Sequence, residues 1–271
     1  MTKEDVLKNK DVLIAQKKAI IKRADSITQS VSVDATRLAT VKAEMNDSDM
    51  EIGVLKAELI INTTNLIDSH MDCHIPGLWN KSIKEQKTFF LLQEHEMEFD
   101  KIISDSVNDN LKASTKEFSF QQLGFNFKGN TQALVFSTDI KEKRNEFMYK
   151  QYKNGYVLEH SVGMKYQKMY LCADSDSAEF VSEKENWNKY YPVVANKEVA
   201  DKRGYFWAIT EAQFVEGSAV VKGSNYVTPV ISITENKEDI EAVIDTSKDE
   251  PTEVTQNEQQ KFFINLIQNQ R

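Results

Sequence analysis

Apolar and polar positions alternate with two different periods along this chain. Near the start, Val6, Leu7, Val12, Leu13, Ala19, Ile20 and Ala24 recur at roughly helical spacing among many lysines. Residues 3–25 are therefore expected to be helical. The stretch "MNDSDMEIG" carries loop and cap residues and separates this arm from "VLKAELIIN", which reads as a strand. Pro76 and Gly77 punctuate the next stretch, and Leu78 to Lys87 suits a short helix. "TFFLLQEH" (Thr88 to His95), "FDKIISDSVND", "TQALVFSTDI" (Thr131 to Ile140) and "YFWAITEAQFVEGSAVV" (Tyr205 to Val221) have strand length and strand composition. "YVLEHSVGMKYQKMYLCA" is a long strand signal, with a bend expected at Gly163.

The segments between these runs differ in kind. "STKEFSFQQLGFNFKGN" is polar with two glycines and reads as a loop. "KEKRNEFMYKQYKNG" reads as a helix ending near Gly155. Asp174 to Gly204 interrupts the strands as a charged helical excursion. After Val230 the chain turns acidic and poor in aromatics, as a flexible linker would, and "QQKFFINLIQNQR" suits a short amphipathic helix. The expected fold class is mainly β with surrounding helices (α+β), since short strands with few helices between them close into a barrel or sandwich. The expected organisation is a helical N-terminal arm over 1–50 and a β domain over 51–234 with the excursion at about 174–204. An acidic linker and terminal helix complete it over 235–271.

Composition narrows the function classes. Over 271 residues the net charge is −8, which gives no support for a general nucleic-acid grip. No apolar run reaches membrane-spanning length, and the charged N-terminus lacks a signal-peptide core, so a soluble intracellular protein is expected. The two cysteines, Cys73 and Cys172, suit a reducing compartment better than a disulfide scaffold.

The candidate chemistry begins at "VLEHSVGMKY", where His160 adjoins Ser161. On a strand, neighbouring side chains point to opposite faces, so Ser161 shares a face with Glu159 and Gly163, and His160 with Val162 and Met164. A general base must reach its nucleophile within hydrogen-bond distance, so His160 is a poor base for Ser161. The other histidines are His70, His74 and His95. His70, Cys73 and His74, beside Asp68 and Asp72, have a spacing that would suit a metal if helical; structural loop histidines are the plainer reading. His95 ends a strand-like run, rigid behind and open in front, which suits a site; a surface or core residue is the plain alternative. An acid to orient the base could be Glu211 or Glu216, which a regular strand would place on opposite faces. Glu216 lies in apolar company and would need a partner there, whereas a solvent-facing edge glutamate would not.

Three segments taken in order, "MDCHIPGLWNKSIKEQKTFFLLQEHEMEF", "GYVLEHSVGMKY" and "ITEAQFVEGSAVVKGSNYVTP", resemble the tailed-phage prohead maturation proteases. The likeness lies in the approach to a histidine through Pro-Gly, a short helix and an apolar strand. It continues in a strand with Ser, an aliphatic residue and Gly, and in a closing strand with Glu, a spacer and Ser before an Asn and Pro turn. It spans roughly Leu55 to Val230. The resemblance implies a closed or partly closed β-barrel of the herpesvirus-protease type and a serine endopeptidase that needs no cofactor. It implies Ser161 as nucleophile, His95 as general base and Glu216 as orienting acid, with acyl transfer through an acyl-enzyme. Implied partners are the phage scaffold and major capsid protein, cleaved inside the prohead in the host cytoplasm, along with the chain itself and a possible dimer mate. No nucleic-acid or membrane partner is expected. Departures are His95-Glu96 where the family has His-Asp, and the excursion between Ser161 and Glu216, which leaves Glu211 as a substitute. The arm and the "STKEFSFQQLGFNFKGN" segment have no counterpart. The alternative is a non-catalytic capsid-assembly or scaffold protein that keeps the protease fold.

Overall fold

A computed structural model of the protein describes residues 2–22, 27–28 and 53–235. The chain starts with α1 (Lys3–Lys8), whose first turn is closed by a reciprocal capping box between Thr2 and Asp5. A second helix, α2 (Lys10–Ala19), follows across Asn9. The single helix expected over 3–25 is thus two short helices, and the chain is already extended at β1 (Ile21–Lys22). The apolar positions inside this arm are too sparse to sustain one long helix, and Val6, Leu7 and Ile21 are buried anchors in it. Residues 1, 23–26 and 29–50 of the expected arm lie outside the described residues.

The fold is mixed α+β and mainly strands. The strands are β2 (Ile27–Thr28), β3 (Val54–Thr63), β4 (Asp72–His74), β5 (Phe90–Gln93), β6 (Ile102–Asp105), β7 (Lys112–Ser119), β8 (Asn130–Lys141), β9 (Glu159–Ala173), β10 (Tyr205–Val220) and β11 (Val230–Glu235). Among the described residues they form a seven-stranded sheet in the order β2-β1-β9-β10-β5-β6, with β4 alongside β10, and a four-stranded sheet in the order β11-β3-β8-β7. A shared core lies between the sheets. Leu55, Leu59, Ile61, Leu134 and Phe136 come from the smaller sheet, and Val162, Met164, Trp207, Ile209, Phe214 and Ala219 from the larger. Gly217 permits their close approach, because a Cβ there would lie 2.7 Å from the Phe136 ring.

Two strands were not expected. β7 overlaps the start of the stretch taken for a loop (Ser114 to Asn130), yet it pairs with β8 without a break from Lys112↔Ser137 to Ser119↔Asn130. β11, to which the sequence reading gave no element, closes the expected β domain just before the linker and pairs with β3. Both are edge strands with no fully buried residue. An edge needs polar side chains to discourage further pairing, so β7 (KASTKEFS) loses the apolar signature by which strands are recognised. β9 runs as one strand through Gly163. The remaining linker and the expected terminal helix, residues 236–271, lie outside the described residues.

Helices complete the domain: α3 (Asn80–Glu85), α4 (Glu146–Lys153), α5 (Val181–Tyr190) and α6 (Lys197–Arg203). The last two form the excursion between β9 and β10. Their Trp187, Tyr190 and Ala200 pack with Cys172, Phe206 and Ala208, on the face of the large sheet away from the shared core. They cover the end of that face formed by the close of β9 and the start of β10. The other end carries Ser161. Among the described residues no helix is long and apolar enough to cross a membrane.

The arm is held by charge as well as by apolar contact. Lys17 Nζ lies 2.5 Å from Asp72 Oδ1, and Tyr166 donates its hydroxyl to Asp72 Oδ2 at 2.7 Å. The Asp72 side chain is fully buried and that of Lys17 nearly so. Removing one partner of a buried pair strands the other charge, so Asp72→Ala is expected to destabilise the fold by about 3 kcal/mol. Urea denaturation should show a lower midpoint at unchanged slope. A loss below about 1 kcal/mol would mean that the pair is solvated and unimportant.

Candidate active site

Three adjacent strands, β9, β10 and β5, build one cluster on the face of the large sheet away from the shared core. β9 and β10 pair antiparallel, with Ser161 opposite Ser218 and Gly163 opposite Glu216. β5 runs parallel on the far side of β10, with Leu92 level with Ser218.

A β-bulge sets the face. Trp207, Ile209, Ala212 and Phe214 of β10 point into the core, as do Gly217 and Ala219 beyond them. On a regular strand Glu216 would follow Phe214 into that core. Instead the register shifts between Phe214 and Glu216, so that Phe214 pairs with Met164 and Glu216 with Gly163. The extra residue turns Glu216 to the opposite face, the common use of a bulge beside a site. Ser161 lies two residues from Gly163 in unshifted pairing, so it shares that face.

Gly163 makes room for the carboxylate. A Cβ at this position would lie 2.0 Å from Glu216 Oε1 and 2.8 Å from its carboxyl carbon. The glycine in "SVG" therefore serves a close side-chain approach across the strands.

His95 arrives from the end of β5 through a tight turn. The Glu96 amide donates to Gln93 O at 3.0 Å, and both central residues, Glu94 (φ +52°) and His95 (φ +62°), are left-handed. Non-glycine residues occupy this region at a cost of roughly 1 kcal/mol or more each, so neighbours must over-determine the turn. The Glu94 amide donates to Ala219 O at 2.9 Å and the His95 amide to Ser218 Oγ at 3.2 Å, while Glu94 Oε1 accepts from the Val221 amide at 3.1 Å. The turn throws the imidazole back over β10, where Nδ1 and Glu216 Oε1 are 2.7 Å apart. Glu216 Oε2 accepts from the Ser218 hydroxyl at 2.7 Å.

Glu216 and Ser218 are fully buried, and His95 and Ser161 are 8% and 7% exposed. With the proton on Nδ1 directed at the carboxylate, Nε2 of neutral His95 carries the lone pair that a general base uses. Glu216 Oε1 lies over Gly163, and Ser161 is about 6.6 Å along the strand from there on the same face. Glu216 and Ser161 thus lie on one face of the large sheet, with His95 in contact with Glu216 there. Of the two serines, Ser218 is occupied twice by hydrogen bonds and has no exposed surface, which leaves Ser161 as the candidate nucleophile.

The other candidates lie elsewhere. Glu211 is ion-paired with Lys168 at 2.5 Å and Lys81 at 3.2 Å, away from His95. β10 shifts register three times, so counting five residues between Glu211 and Glu216 does not assign their faces. His160 is fully buried on the core side; Nδ1 lies 3.0 Å from Thr228 O and Nε2 3.0 Å from the Tyr152 hydroxyl. Burial pushes its pKa down to about 4, so it is a neutral structural residue. His74 is also buried and pushed down to about 4, and its Nδ1 pairs with the Asn62 amide group. Cys73 points into the cluster beneath α5 and α6, while His74 packs edge-on against Trp79 and Tyr166. His70 precedes the strand and lies 4.0 Å from Asp68. β4 is extended, so the helical spacing that would gather these side chains does not apply. Among the described residues no group of three or more His, Cys, Asp or Glu is placed to hold a metal. Both cysteines are free and buried.

Sequence reasoning assigned no role to Ser218 and did not place Gly163 against Glu216. The run Glu-Gly-Ser held the first signal, since residues two apart share a face. The second needed the pairing of β9 with β10, which sequence alone does not give. Comparison with protein-family models, curated proteins and solved structures finds no match to this chain.

Proposed function

We propose that this chain is a serine endopeptidase of the tailed-phage prohead maturation type, with Ser161 as nucleophile, His95 as general base and Glu216 as orienting acid. The observation that carries the reading is the 2.7 Å contact between His95 Nδ1 and Glu216 Oε1, made on the face that bears Ser161. In this reading the two packed sheets correspond to a partly closed barrel of the herpesvirus-protease type. The substrates are the scaffold and capsid precursors inside the prohead, and the chain itself.

In the proposed mechanism His95 Nε2 takes the Ser161 proton as Oγ attacks a peptide carbonyl. The buried carboxylate steadies the imidazolium that forms. His95 then gives the proton to the leaving amine, and water, deprotonated by the same nitrogen, releases the acyl group.

An alkyl fluorophosphonate tests the reading without knowledge of the cleavage site. It phosphonylates an activated serine with loss of fluoride. Peptide mapping by mass spectrometry should place one adduct on Ser161, and His95→Gln should slow its formation by about 10³-fold or more. No adduct on Ser161, or an adduct formed at the same rate without His95, would overturn the reading and favour a non-catalytic assembly protein.

A further inference from the structure

Ser218 sits where three parts of the cluster meet. Its hydroxyl donates to Glu216 Oε2 at 2.7 Å and accepts from the His95 backbone amide at 3.2 Å. Through the first bond it fixes the rotation of the carboxylate, so that the other oxygen, Oε1, faces His95 Nδ1 at 2.7 Å. Through the second it ties down the strained turn on which the imidazole is mounted. The serine itself is fully buried and cannot meet substrate.

A simpler residue would not serve. Alanine would leave a buried carboxylate oxygen and a buried amide each short of a partner. A hydroxyl both donates and accepts, and so satisfies the pair with one atom. β10 places it there by alternation: Glu216 and Ser218 are two residues apart beyond the bulge, on one face.

We infer that Ser218 is a positioning residue for the proposed peptidase, holding the Glu216 carboxylate and the His95 backbone in the relation that base catalysis needs. The inference rests on the serine-peptidase reading above. It predicts that the serine hydroxyl, more than the volume of the side chain, sets the reactivity of Ser161, because small misplacements of a catalytic group are costly in rate.

The test compares Ser218→Thr with Ser218→Val. The two substitutions are nearly isosteric and equally suited to a strand, and they differ by the hydroxyl. The readout is the second-order rate of alkyl fluorophosphonate labelling at Ser161. Valine is expected to slow labelling by 10- to 100-fold, and threonine to restore most of the rate. Equal rates in the threonine and valine variants, whether both near wild type or both low, would overturn the positioning role, because the hydroxyl would then make no difference. Absence of labelling at Ser161 in the wild-type chain would instead overturn the peptidase reading, so the two failures are distinguishable. Should either variant fail to fold, as shown by loss of its cooperative melting transition, Ser218→Cys against Ser218→Ala repeats the comparison with smaller side chains under the same criterion.

Discussion

Ser161→Ala is expected to abolish processing while leaving the fold almost untouched. Coexpressed with scaffold and capsid precursor, the wild-type chain should yield cleaved products and the variant only full-length ones, as read by intact mass. Loss of a triad nucleophile removes on the order of 10⁴ or more in rate, enough to erase cleavage on the timescale of assembly. Stability should move by less than about 1 kcal/mol. The residue is 7% exposed, and alanine keeps its Cβ in place on β9. Thermal melting beside the cleavage assay separates the two effects. A variant that still processes its substrates would remove Ser161 from the mechanism. The non-catalytic assembly reading would follow if neither chain cleaves anything.

On β9 one relation was legible in the sequence, the separation of His160 from Ser161, whereas the nucleophile role of Ser161 came only from the family resemblance. Alternation along one strand suffices to separate His160 from Ser161, and β9 is regular there. Simple alternation is lost on β10, whose bulges break the count between Glu211 and Glu216. A bulge is a property of a strand pair, and its single-chain signature is weak. The edge strand β7 was missed for a related reason: its polar composition is dictated by where it lies in the sheet. The arm presents the opposite case. Its helical period is real, but Asn9 divides it and a two-residue strand ends it, where the chain joins the large sheet at Lys22↔Met164. Strong local patterns thus survive folding, whereas features set by a neighbour on another strand do not show in local sequence.

Gly163→Ala is expected to produce the largest structural conflict of any single methyl group at this site. The added carbon would lie 2.0 Å from Glu216 Oε1, 2.8 Å from its Cδ and 3.2 Å from its Cγ. No rotation relieves the overlap cheaply, because that carboxylate is held by His95 at one oxygen and by Ser218 at the other. Either both bonds break or β9 and β10 separate locally. Overpacking of this kind costs about 1–3 kcal/mol, and a displaced buried carboxylate adds to it, so a loss of about 3 kcal/mol is expected. Labelling of Ser161 by the fluorophosphonate should fall by about 10²-fold or more, since the imidazole loses its orienting partner. The double variant Gly163→Ala with Glu216→Ala separates the clash from the chemistry. Removing the carboxylate also removes the conflict, so the double variant should be more stable than the sum of the single effects predicts, by a coupling of roughly 1–3 kcal/mol. It should remain as unreactive as Glu216→Ala alone. Additive stabilities, or a Gly163→Ala chain that labels at the wild-type rate, would show that Glu216 does not lie across Gly163 when His95 is at work.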